Sequence, residues 1–137
     1  MKWKTAYPKS QGGSNTIELA ILLPFVLVLL VGMLQLGIYV YGMSMVENAA
    51  RNAARAGSVA QVCPVCEAQS AAYATLNGSA VVSNFKVTIL APGGVVGSTV
   101  KIRVTASIPM LVPGGAALGL GPLTTVTAEA TFRQEGW

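Results

Sequence analysis

The stretch Gly12-Gly13-Ser14-Asn15-Thr16-Ile17-Glu18-Leu19-Ala20-Ile21-Leu22-Leu23-Pro24 opens the run that decides the architecture of this chain. From Leu19 to Met43 no residue is charged, and Gln35 is the only strongly polar side chain. A helix over Leu19–Met43 would extend roughly 37 Å, against a bilayer hydrocarbon core of about 30 Å. The rest of the chain is too small to wrap so long and uniformly apolar a helix as a soluble core. The run therefore reads as a membrane span. A secretory signal has an apolar core of about 7 to 15 residues followed by a small-residue cleavage site. Here the helix pattern continues past Leu34, so retention as an anchor is the better reading.

N-terminal to the run, Lys2, Lys4 and Lys9 meet no acidic residue before Glu18, whereas Glu47 accompanies Arg51 and Arg55 on the far side. The positive-inside rule then places the N-terminus in the cytoplasm and the bulk of the chain outside. Tyr39 and Tyr41 lie near the outer end, where amphipathic rings favour the interface.

The composition agrees: 137 residues, 53% hydrophobic, 10% charged and no histidine. A soluble domain carries about 25% charge, and a membrane span with a weakly charged exterior domain accounts for the deficit. The net charge of +4 is concentrated at the start. Without the three lysines before Gly13, six cations face five acids, a balance of +1. No basic stripe is legible in the linear sequence, so nucleic-acid binding has no support. Scattered carboxylates and the absence of histidine argue against an enzyme, a cofactor, a metal centre or a small-molecule substrate.

Beyond the span, alanine and arginine, both strong helix formers, fill Glu47-Asn48-Ala49-Ala50-Arg51-Asn52-Ala53-Ala54-Arg55. Glu47, Arg51 and Arg55 stack at spacings of four on one face, and Val46 with the alanines forms a smooth apolar stripe. A single helix over Ile17–Val62 would be roughly 69 Å long. Pro64 stops it. Glu67 to Leu76 reads as a short second helix closed by Asn77-Gly78. The period then changes to two, giving three strands around Phe85–Ile89, Val100–Ala106 and Val126–Phe132. Pro92-Gly93-Gly94 and Gly97 suit a hairpin. The longer Pro109–Pro122 link is apolar and either packs on the head or rests against membrane or partner; the strand order is open.

Cys63-Pro64-Val65-Cys66 is the one reactive-looking motif. Outside the cytoplasm a structural disulfide is the plain reading, with free thiols, an intermolecular bond or a redox pair as alternatives. The redox role calls for a helix N-terminus in a strand–helix–strand context, which the sequence before it does not supply. Two thiols fall short of a four-ligand zinc site.

A glycine, four residues and a glutamate ahead of an apolar helix resemble the prepilin-peptidase site of type IV-like pilins. More closely, Gly13 to Pro24 is similar to the opening of the TadE-like pseudopilins of tight-adherence (Flp) pilus systems. The likeness continues through Glu47–Gly57 and ends in the threonine- and valine-rich strands. Leu19 stands where the family commonly has an aromatic residue, and Gln35-Leu36-Gly37-Ile38 lacks the usual Gly-Arg pair. The resemblance implies cleavage after Gly13 by an inner-membrane aspartyl peptidase, with Ser14 as the new N-terminus. It also implies partners: the prepilin peptidase, other pilins or pseudopilins and the pilus assembly platform, in a bacterial inner membrane, for cell adhesion.

The expected fold is α+β and pilin-like. It comprises a leader (1–13), a transmembrane helix (14–43), a helical stem (44–62), a Cys loop with a short helix (63–80), and a three-stranded antiparallel sheet packed on the stem (81–137). Glu18 either aligns the subunit in an assembly, opposite the Ser14 amine, or caps the helix start. Pro24 is either a point of local melting or a harmless kink. Arg51 and Arg55 are expected partner contacts. The competing readings are an unprocessed single-pass protein with an exterior binding or scaffolding domain, and a membrane-tethered thiol oxidoreductase.

Overall fold

The computed structural model describes residues 12–110 and 125–135. Most of the apolar Pro109–Pro122 link lies outside the described residues, as do Lys2, Lys4 and Lys9. The elements run α1 (Gly12–Val59), α2 (Pro64–Leu76), β1 (Ser83–Pro92), β2 (Thr99–Ser107) and β3 (Thr125–Arg133). This is the expected α+β architecture. The chain forms two compact units, one ending at Leu34 and the other beginning at Gln35.

The first unit is the leading part of α1. Its large apolar side chains are mostly exposed, Ile17, Leu19, Phe25 and Val28 by more than 60%. A helix apolar on every face has no preferred side to bury, so it matches a lipid surround rather than a protein core. Among the described residues α1 is the one helix long and apolar enough to cross a membrane. It continues through Pro24 as unbroken helix.

In the second unit the sheet has the order β1-β2-β3, all antiparallel. The third strand thus pairs with the second, from Thr99 opposite Arg133 to Ser107 opposite Thr125. The inward face of β2 (Val100, Ile102, Val104, Ala106) is fully buried, flanked by Val126, Ala128 and Ala130 of β3. Val46, Ala49, Ala50, Ala53 and Ala54 of α1 join the same core. Their spacing of three and four keeps them on one helix face. Two glycines extend this smooth face. A Cβ at Gly42 would stand 2.6 Å from Ile108 Cδ1. At Gly57 it would meet Pro64 O at 3.0 Å and Val100 Cγ1 at 3.1 Å. Small side chains let helix and sheet approach closely.

Ala68, Ala72 and Leu76, four apart on α2, close the core, and Tyr73 tilts against Phe85 with ring centroids 5.5 Å apart. β1 carries two register shifts, one at Asn84, which adopts φ 48°.

Two helix ends differ from the expectation. α1 ends at Val59, not Val62, and α2 starts at Pro64, not Glu67. The cause of the first is distant in sequence: Glu135 N donates to Ser58 O, and Gln134 Nε2 donates to Ala60 O. The chain after β3 satisfies carbonyls at the end of α1, which then leaves the helical path. The cause of the second is local. Proline suits the first helical position, where its missing N–H is not needed, and Cys63 Sγ accepts from Cys66 N at 3.2 Å as the N-cap.

Candidate functional site

Gly13 and Ser14 fall in the first turn of α1. Glu18 lies six residues past the helix start, beyond the first turn. It is exposed and makes no hydrogen bond or ion pair with the described residues. The macrodipole acts most strongly on charges within the first turn, and Glu18 lies past it in the uncleaved chain. Pro24 has no N–H to donate to the Ala20 carbonyl one turn earlier.

At the other end of that run Gln35 begins the second unit, and its Nε2 donates to Pro109 O at 3.5 Å. Ile38 and Tyr39 pack against the core, and Gly42 seats Ile108. These contacts fall within the apolar run, which ends at Met43. Glu18 and Gln35 are seventeen residues apart, about 26 Å along a helix. They bracket a stretch close to the thickness of a bilayer core.

The four-residue ladder beyond the span is half formed. Arg51 pairs with Glu47 at 3.4 Å, both exposed. The Arg55 guanidinium makes no hydrogen bond or ion pair among the described residues. Arg51 and Arg55 lie on the exposed face of α1, opposite the alanine stripe.

Cys63 and Cys66 form a disulfide with Cα atoms 5.3 Å apart. The bridge ties the residue capping α2 to that helix's first turn. The pair thus lies at a helix N-terminus, which the sequence reading did not anticipate because it began α2 three residues later. The element before it is α1, not a strand.

Sequence reading also missed two polar groupings. Gln134, almost buried, accepts from Gly94 N at Oε1 while its amide reaches Ala60, welding hairpin to helix end. On the outward face of the sheet, Glu129 bridges Lys101 at 2.9 Å and Arg103 through both Nε and Nη2. Hydrogen bonds from Lys101 and Arg103 hold the Glu129 carboxyl below its ordinary range. Strand alternation marks these residues as outward, but only the β2–β3 register, invisible in the sequence, brings them together.

Residues 13–55 match the family model described as TadE-like protein. No curated protein and no solved structure matches the chain. The matched segment holds the Gly13–Glu18 junction, the lipid-compatible helix and both arginines. Over that segment the chain is similar to the TadE-like proteins.

Proposed function

We propose that this protein is a minor pseudopilin: a single-pass, non-enzymatic assembly subunit of a tight-adherence pilus system. The observation that carries the reading is the TadE-like match over residues 13–55, coincident with a helix apolar on every face. The membrane-crossing part is residues 17–34, about 27 Å of helix, shorter at its outer end than the expected 14–43. Glu18 then sits at the cytoplasmic edge, where a carboxylate costs less than the roughly 2.5–3.5 kcal/mol of the bilayer centre. The N-terminus is cytoplasmic, and the second unit lies outside the inner membrane.

Prepilin peptidase cuts after Gly13. The freed Ser14 amine, of ordinary pKa near 8, is cationic at neutral pH and pairs with Glu18 of the same or a neighbouring chain. Arg51 and Arg55 face partner pilins or the assembly platform. Pro24 gives a point of local melting during packing.

Co-expression of Gly13→Ala and Glu18→Ala variants with the peptidase tests this. Gly13→Ala stays uncut, whereas Glu18→Ala is cut but fails to assemble. Normal processing and assembly of both variants would refute the proposal and favour an unprocessed single-pass protein.

A further inference from the structure

We infer that the outward face of the sheet binds an acidic polysaccharide. The register places Lys86 beside Thr105, Thr88 beside Arg103, Arg103 beside Glu129, and Thr99 beside Arg133, with Lys101 between the last two rows. Rows two residues apart are about 6.7 Å apart along a strand. Lys86, Arg103, Lys101 and Arg133 therefore form an oblique row about 20 Å long.

Only one acid shares that row. The chain has five side-chain carboxylates in all: Glu18, Glu47, Glu67, Glu129 and Glu135. Glu129 is spent on Lys101 and Arg103. Lys86 and Arg133 make no ion pair among the described residues, and the residues outside them contain no Asp or Glu. The face carries +3, while the chain from Ser14 onward totals +1. Charge is thus segregated onto the sheet, and a surface of one sign attracts and concentrates a polymer of the other.

The kind of polyanion follows from what accompanies the cations. Every other outward position of β2 and β3 is threonine or serine, with Thr105 and Thr127 hydroxyls 3.3 Å apart. These groups suit the hydroxyls of a sugar chain. Single-stranded nucleic acid wants aromatic platforms for its bases, and those positions hold none. A second copy offers no complementary row, because Glu47 is held by Arg51 and Glu67 and Glu135 lie on separate segments.

The test uses the full-length protein in detergent micelles over immobilised polygalacturonate, with neutral dextran and single-stranded DNA as comparison supports. The expected result is salt-sensitive retention on polygalacturonate, weaker on DNA and absent on dextran. A Lys86→Gln/Arg133→Gln double variant binds about tenfold more weakly, each exposed ionic contact contributing roughly threefold. Lys86→Arg/Arg133→Lys, which keeps the charges, retains binding. No retention, equal binding by the glutamine variant, or DNA held at least as tightly as polygalacturonate would overturn the inference.

Discussion

Gln134 donates from Nε2 to the carbonyl of Ala60, 3.0 Å away and 74 residues earlier in the chain. The same side chain accepts from Gly94 N at 2.9 Å, and its backbone bonds Gly97 and Ser98. One nearly buried amide thus fixes the end of α1, the β1–β2 hairpin and the exit of β3. Leaving a buried partner unsatisfied costs about 1–3 kcal/mol. Gln134→Ala should lower the denaturation midpoint of the detergent-solubilised protein accordingly, whereas Asn52→Ala, on the exposed face of α1, should not. Equal midpoints for Gln134→Ala and the parent would remove this clasp from the account.

Glycines of α1 divide by what surrounds them. Gly57 faces Pro64 O, Ala68 and Val100 within 3.1 Å, whereas Gly37 has nothing within 4 Å of an added Cβ. Gly57→Val should destabilise by about 1–3 kcal/mol, since overpacking displaces backbone and core side chains. Gly37→Ala should be neutral or stabilising by up to about 1 kcal/mol through helix propensity. Thermal melts followed by circular dichroism distinguish them, and a reversed order would show that helix–sheet contact at Gly57 is looser than described.

The elements with strong local signals were legible in the chain itself. An uncharged run from Leu19 to Met43 and alternating residues in all three strands need no distant partner to be read. What escaped reading was set by residues far apart: the end of α1 at Val59 answers to Gln134 and Glu135, and the pairing of Arg103 with Glu129 answers to strand order. Gln35 stood out as polar, yet its partner Pro109 lies 74 residues away. Cys63 as an N-cap was missed because Pro64 was read as a stop rather than a start.

Cys63 has two separable roles. The chain-entropy relation gives about 2 kcal/mol for so short a disulfide loop, and an N-cap contributes about 1 kcal/mol. Serine keeps the capping oxygen but not the bridge. Cys63→Ser should therefore lose about 2 kcal/mol and Cys63→Ala about 3 kcal/mol in urea titrations. Equal losses would mean that the sulfur does not cap α2. A thiol oxidoreductase would instead reveal itself by dithiol-dependent reduction of a disulfide substrate, lost in Cys63→Ser.

Glu129 predicts a pH signature. Its carboxyl is held below the ordinary value by Lys101 and Arg103, so the folded state favours the ionised form. That contribution is complete above the unfolded pKa of about 4.3 and is lost as pH falls through the lower folded value. The midpoint difference between parent and Glu129→Gln should be flat from about pH 6 to 8 and shrink below about pH 4. A difference that grows on acidification would contradict the ion-pair assignment.

Intact mass and N-terminal sequencing of the protein recovered from membranes, made alongside its peptidase, bear most directly on the pilus-subunit reading. The account predicts a single membrane-bound species beginning at Ser14 and retaining residues 19–43. A membrane form still carrying Lys2, Lys4 and Lys9, or a water-soluble form lacking the apolar segment, would contradict it.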